Sequence, residues 1–294
     1  MARRALLLIN PHARQGGDYD QELATRLEAE GLEIIADRGE EESISAAIVR
    51  HQDDVDLVII GGGDGTLNEA IAGLMETKLP LGILPLGTAN DLARTLEIPF
   101  DPAVACATIA TGRITEIDVG DANGKYFFNV ASLGLSVDIT RRLNPEQKKK
   151  WGVLAYLYTA FVVTFRARPF RAEIRTATET IAVRSVQIAV GNGRHYGGGM
   201  VIHERAAIDD GILDLYSVEV DRWWKVFLLT PAIMRGTLDT SSWVRTLRGE
   251  TFEITTRRPR SVNTDGELAT ATPVKFRIWP RAIRVIVPTK PEAA

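Results

Sequence analysis

Cysteine is almost missing from this chain. Cys106 is the only one in 294 residues, which excludes an internal disulfide and a multi-cysteine zinc site. It sits in an alanine-rich apolar segment and reads as a small core residue. Positive charge is not in excess either. Lys and Arg number 35 against 38 Asp and Glu, a net charge of −3, so no global field draws nucleic acid, and nucleic acid is not an expected partner. No stretch reaches the ~18–20 apolar residues needed to span a bilayer. The opening Met1-Ala2-Arg3-Arg4 and the apolar run after it imitate a secretory signal, but the run is short and ends in Asn10-Pro11. The expectation is a cytoplasmic protein, at most peripheral at the inner membrane face. A G-x-S-x-G elbow is lacking, since no glycine stands two places before Ser132, which disfavours a serine hydrolase. His195 and His203 have no spacing that suggests a metal pair, and each reads as a structural residue.

What is present is ordinary globular composition, at a length that suggests two domains with real cores. The stretch around which the chain is organised runs from Val55 to Glu69. An apolar run to Ile60 reads as a buried strand, Gly61, Gly62, Gly63, Asp64, Gly65 and Thr66 as a loop, and Leu67, Ile71 and Leu74 as one stripe of a helix. A glycine turn at a helix N-terminus leaves N–H groups pointing outward, a cradle for phosphate. It matches neither the dinucleotide fingerprint nor the Walker loop, as no lysine follows the last glycine. Asp64 is the odd residue: a carboxylate beside phosphates suggests a divalent cation, or a hydroxyl awaiting deprotonation, between them.

Strands are expected at Ala5 to Ile9, Leu32 to Ala36, Val55 to Ile60 and Leu81 to Pro85, with helices between them. That alternation means a doubly wound parallel α/β sheet, with ligands at the C-terminal strand ends. A second loop, Leu86 to Arg94, also leaves an apolar strand, contains glycine and opens a helix, which Thr88 or Asn90 could cap. Asp64, Thr66, Thr88 and Asp91 would then line one crevice. From about Gly120 onward, alternating runs such as Phe170 to Thr176 and Thr251 to Thr255 indicate an antiparallel β-sandwich. The expected division is residues 1–119 and residues 120–294. Within the second part, Lys148-Lys149-Lys150-Trp151 leads into an uncharged run within 145–168, which suits either an interfacial element or a core helix.

The motifs Gly61-Gly62-Gly63-Asp64-Gly65-Thr66-Leu67-Asn68-Glu69 and Leu84-Pro85-Leu86-Gly87-Thr88-Ala89-Asn90-Asp91-Leu92-Ala93-Arg94 resemble the diacylglycerol kinase catalytic domain, in its soluble bacterial lipid-kinase branch. Asn10-Pro11 with Gly16 resembles that family's opening motif. The first motif is shared in part with NAD kinases; the second is more specific to lipid kinases. The resemblance implies a nucleotide cleft between an N-terminal α/β domain and a C-terminal β-sandwich. It makes Asn10, Glu69, Asn90 and Asp118 candidates for the nucleotide site beside Gly61–Thr66, Thr88 and Asp91.

Two further segments take a role only from the resemblance. Asp209-Asp210-Gly211 reads by itself as a turn; the resemblance implies a structural Mg²⁺ held by Asp210 and the carbonyls of Ala207 and Ile212. Asp265-Gly266-Glu267 reads by itself as a hairpin turn; the resemblance makes it a catalytic motif in which Asp265 or Glu267 accepts the proton of a lipid hydroxyl. The expected function is an ATP-dependent lipid kinase using ATP and Mg²⁺ on a diacylglycerol-like acceptor reached by reversible docking on a membrane surface. A homodimer is a candidate assembly. The rivals are NAD kinase and a catalytically silent lipid- or nucleotide-binding protein.

Overall fold

Arg3–Ile9 (β1) is the first strand of a computed structural model that describes residues 2–10, 19–36, 43–135, 137, 168–196, 200–201, 206–222, 224–229, 237 and 240–289. Four consecutive buried residues, Ala5 to Leu8, mark β1 as a strand covered on both faces. Then come α1 (Tyr19–Ala29), β2 (Leu32–Ala36), α2 (Ile44–Arg50), β3 (Leu57–Gly62), α3 (Asp64–Thr77), β4 (Leu81–Pro85), α4 (Asp91–Thr95), α5 (Pro102–Thr111) and β5 (Arg113–Ala122). The strands lie parallel in the order β2-β1-β3-β4. Leu7, Leu57 and Ile59 share a core with Leu23 and Leu27 of α1 and Ala105, Cys106 and Ile109 of α5. Leu6, Leu8, Val58 and Ile60 alternate to the other face and are equally buried. Local sequence starts two of these helices. Ser43 accepts the Ala46 amide at α2, and Asp101 accepts the Ala103 and Val104 amides at α5, where Pro102 takes the first turn.

The second half is β-rich: β6 (Lys125–Phe127), β7 (Val130–Gly134), β8 (Phe170–Arg175), β9 (Thr180–Ser185), β10 (Gln187–Gly191), β11 (His195–Tyr196), β12 (Met200–Val201), β13 (Leu213–Val218), α6 (Lys225–Leu228), β14 (Val244–Gly249), β15 (Thr251–Thr256), β16 (Ser261–Thr264), β17 (Glu267–Ala271) and β18 (Val274–Val287). One antiparallel sheet has the order β14-β13-β10-β7-β16-β17; the other pairs β9, β8, β15 and the first half of β18. The alternation in β8, buried then exposed three times over, shows that one face of that sheet is packed and the other wet. Phe127, Leu133, Ile174, Ile188, Leu215, Phe252 and Phe276 fill the core between the sheets. Each fully buried phenylalanine contributes about 2–3 kcal/mol by area. The fold is thus an N-terminal α/β unit and a C-terminal β-sandwich.

The units divide between Val119 and Gly120, but the first also takes in Pro280–Ala294. The expected division left that tail with the sandwich. It belongs with the α/β unit because Val285 of β18 pairs in parallel with Leu81 of β4. The segment 145–168 lies outside the described residues except for its last, exposed residue, Arg168, and Gly16-Gly17 lies wholly outside them. No described helix is long and apolar enough to cross a membrane.

Candidate functional site

In the α/β unit the register Ile9↔Gly61 and Gly62↔Pro85 brings the C-terminal ends of β1, β3 and β4 level. Sequence reading ends the third strand at Ile60, whereas Gly61 and Gly62 remain in the ladder and α3 starts at Asp64. The glycine-rich loop is therefore a single residue, Gly63, with extended backbone. Gly62 is dictated by Thr66, whose side chain would lie 2.6 Å from a Cβ there. Thr66 is buried, and its Oγ1 accepts from Asn10 Nδ2 at 2.9 Å. The Asn10 amide in turn donates to the Gly61 carbonyl. Asn10, Gly62 and Thr66 thus form one rigid corner.

No side chain caps α3. Its first backbone bond is Leu67 N–H to the Gly63 carbonyl, so the amides of Asp64, Gly65 and Thr66 precede the helical ladder and sit at the positive end of the helix dipole. Asp64 is half-buried and its Oδ1 accepts the Leu92 amide at 3.1 Å, capping α4 and joining the first turn to the second. Its other oxygen has no partner among the described residues. The second turn is folded by Asn90, which sits in the left-handed region at φ 50. Asn90 Oδ1 accepts from Gly87 N, and its Nδ2 donates to the carbonyls of Pro85 and Gly87. Asn90 therefore shapes the turn without capping the helix by its side chain. Thr88 at the tip is exposed, while Asp91, first residue of α4, is buried.

Two of the sequence candidates stand apart from this corner in what they hold. Glu69 is exposed on α3, and its carbonyl accepts from Ser45 Oγ on α2. Asp118 is 1% exposed on β5, and its Oδ1 accepts the Arg281 amide at 2.7 Å. Arg281 has φ 49 in the middle of β18, so Asp118 secures the bend of that strand.

In the sandwich unit, Asp265 and Gly266 make a two-residue hairpin turn, with φ 45 and 97, between β16 and β17. The Asp265 carboxylate is fully engaged. Oδ2 accepts the Phe128 amide at 2.7 Å, and Oδ1 accepts those of Asn129 and Val130 at 3.0 and 2.9 Å. The Asp265 amide returns a bond to the Val130 carbonyl. Glu267, two residues on, is exposed and has no partner among the described residues. One carboxylate anchors the turn; the other is unengaged among the described residues. Sequence reading did not single out Phe128, Asn129 and Val130, although a polar residue wedged between Phe128 and Val130 was the available signal. Asn129 is 3% exposed.

The residues proposed for a structural Mg²⁺ are also in this unit. Asp210 Oδ1 accepts the Ile212 amide, and Oδ2 pairs with Arg248 Nη2 at 2.7 Å. Arg248 Nε also binds Asp214 at 2.9 Å. Both oxygens of the Asp210 carboxylate are thus engaged, and no cluster of three or more His, Cys, Asp or Glu suited to a metal occurs among the described residues. In this arrangement the partner of Asp210 is Arg248. Asp64 has one carboxylate oxygen free beside the uncapped amides of α3.

Residues 4–122 match the diacylglycerol kinase catalytic domain, and residues 129–287 match the YegS C-terminal NAD kinase beta sandwich-like domain. A Pseudomonas aeruginosa protein named probable lipid kinase YegS-like is 32% identical, over 96% of this chain and 94% of its own. A Mycobacterium tuberculosis diacylglycerol kinase is 33% identical, over 79% of this chain and 77% of its own. A solved Bacillus anthracis structure, named as a candidate diacylglycerol kinase, superposes with a TM-score of 0.79 at 27% identity, covering 97% of each chain. With both halves matched in order and the kinase motifs on adjoining turns of one sheet edge, the chain belongs to the YegS-like and diacylglycerol kinase family of lipid kinases.

Proposed function

We propose that the chain transfers the γ-phosphate of ATP to a hydroxyl of a diacylglycerol-like lipid. The observation that carries this is the uncapped N-terminus of α3 behind a one-residue glycine turn, with a half-free carboxylate, Asp64, beside it. Amides and dipole at such an end suit a phosphate chain. The exposed Thr88 hydroxyl adds a donor on the next turn. A divalent cation held by Asp64, with Asp91 one residue from the Leu92 amide, would neutralise charge on the transferring phosphoryl group. Asn10 and Asn90 keep the two turns in shape rather than touching the nucleotide.

Glu267 is the proposed general base. It removes the acceptor hydroxyl proton as that oxygen bonds to the γ-phosphorus; the bond from the γ-phosphorus to the β–γ bridging oxygen breaks, and ADP leaves. Asp265 positions Glu267 by pinning the turn to Phe128, Asn129 and Val130. Acid–base help of this kind is worth about 10²–10⁴ in rate.

The sandwich's match to an NAD kinase-like domain favours one rival acceptor, NAD. The deciding experiment supplies purified protein with γ-labelled ATP and Mg²⁺ and, in separate reactions, diacylglycerol, phosphatidylglycerol, a sphingoid base and NAD. Mass spectrometry then identifies the product. Label on a lipid supports the proposal, label on NAD selects the rival, and ATP left intact with every acceptor removes the kinase reading.

A further inference from the structure

Four described arginines of the sandwich unit are paired with acids. Arg175 pairs with Glu253, Arg245 with Glu219, Arg248 with Asp210 and Asp214, and Arg277 with Asp121. Seven others, Arg168, Arg171, Arg184, Arg194, Arg222, Arg257 and Arg258, are exposed with no ion pair or hydrogen-bonded side chain among the described residues, and five of these, Arg168, Arg171, Arg184, Arg257 and Arg258, fall together.

The strand register gathers these five at one end of one sheet. Arg171 of β8 stands directly opposite Arg184 of β9, and both alternate to the wet face because Phe170, Ala172 and Val183 point into the core. Thr256, the last residue of β15, pairs with Ala172 of β8, so Arg257 and Arg258 leave the sheet beside Arg171. Arg168 enters it two residues before Phe170. Like charges directly opposite across an antiparallel pair are destabilising. Here the fold places an arginine pair where it gains no internal partner, on a chain whose net charge is −3.

We infer that this arginine end of the β9-β8-β15 sheet is a docking surface for an anionic lipid bilayer. Guanidinium groups bind phosphodiester oxygens through forked hydrogen bonds, and they do so better than ammonium groups. The rest of the chain carries excess negative charge, so a negative surface attracts this end and repels the remainder, which orients the molecule. Trp224 and Phe100, the exposed aromatics among the described residues, lie on other elements, so the patch lacks the stacking platform that single-stranded nucleic acid uses. The choice of a bilayer rests on the lipid-kinase reading, in which the acceptor is held in a membrane. With no exposed large apolar side chain in the patch, the attachment is electrostatic, reversible and salt-sensitive.

The test is co-sedimentation of the full chain with phosphatidylcholine vesicles, with and without about 30% phosphatidylglycerol, a content that sets a negative surface potential. Binding is expected only to the anionic vesicles and is expected to fade with added salt. Removing two such cations should weaken it about 30-fold, in Arg171→Ala/Arg184→Ala and again in Arg257→Ala/Arg258→Ala, while Lys125→Glu, an exposed cation elsewhere, changes little. Unaltered vesicle binding in both double variants overturns the surface, as does tighter binding of an oligonucleotide than of anionic vesicles. Phosphorylation of detergent-dispersed lipid should be the same in wild type and double variants, and only vesicle-held acceptor should be turned over more slowly. If wild type phosphorylates no lipid in detergent, the kinase reading fails while the vesicle result still judges the surface.

Discussion

Gly63 and Gly87 meet backbone to backbone. A Cβ on Gly87 would lie 2.4 Å from the Gly63 Cα and 2.6 Å from Asn90 Oδ1. The turns after β3 and β4 can therefore nest only without side chains, and the proposed phosphate cradle depends on that nesting. The first obstacle is backbone, and the second is a side-chain oxygen held in place by the hydrogen bonds of the Asn90 carboxamide. Gly87→Ala is expected to destabilise the protein by about 1–3 kcal/mol, as overpacking does, and to abolish the thermal protection expected from ATP in the wild type. Scanning calorimetry with and without ATP checks both.

Asp64 accepts the Leu92 amide with one oxygen and is proposed to meet a divalent cation with the other, and substitutions can separate the two. Asp64→Asn keeps an oxygen able to accept the Leu92 amide but loses the charge proposed for the divalent cation. It should melt near the wild-type temperature while kcat falls by about 100-fold or more, with a higher Mg²⁺ requirement. Asp64→Ala should lose the cap of α4 as well, a further cost of about 1 kcal/mol in stability. Equal activity of Asp64→Asn and wild type would remove Asp64 from the metal site.

Cys106 offers a check on the α/β core. Burial pushes its thiol up to about 11 from an ordinary 9.0, with the Arg26 charge opposing the shift. In the folded chain the proton is retained between those values while the unfolded chain gives it up, so stability falls as pH rises from about 9 toward 11. The fall should be smaller in Cys106→Ala. At pH 8 a thiol reagent should find no reactive group in the native protein and one after unfolding in urea.

Arg248 bridges Asp210 and Asp214, and a cation is the alternative partner for Asp210. Wild-type melting temperature should be indifferent to chelator or added Mg²⁺ in the absence of nucleotide. Arg248→Ala leaves Asp210 and Asp214 without their shared partner. It should lower the melting temperature by a few degrees, as expected for a loss of about 1 kcal/mol, and part of the loss should return with millimolar Mg²⁺. A wild-type melting temperature that drops on chelation would restore the metal reading of Asp210.

Much of the fold is legible in the sequence because its signals are local. Unbroken apolar runs gave the parallel strands, and alternation gave the sandwich strands. The misplaced features depend on distant partners. The apolar runs Val274 to Ile278 and Ile283 to Val287 look like two strands, yet β18 runs through Pro280 and the left-handed Arg281, whose amide is received by Asp118, 163 residues away in sequence. The glycine loop shrinks to Gly63 because Gly61 and Gly62 keep ladder partners on β4. At the site, residue types were readable and division of labour was not. Nothing local distinguishes Asn90, which folds its turn, from Thr88, which is exposed, or predicts that three amides from β6–β7 consume Asp265.

That last distinction yields the sharpest prediction. Asp265 accepts three backbone amides and Glu267 accepts none among the described residues, so their substitutions should fail in different ways. Glu267→Gln is nearly isosteric, removes no packed contact and should melt as wild type, while kcat falls by about 10²–10⁴ with KM for ATP unchanged. The loss should ease at higher pH, where hydroxide partly replaces the missing base. Asp265→Ala leaves the amides of Phe128, Asn129 and Val130 without their acceptor at a half-buried turn. It should lose about 2–4 kcal/mol of stability as well as activity, and Asp265→Asn should recover part of the stability, since its one amide oxygen can still accept. If Asp265→Asn were as stable as wild type and inactive while Glu267→Gln stayed active, the roles of base and anchor would have to be exchanged.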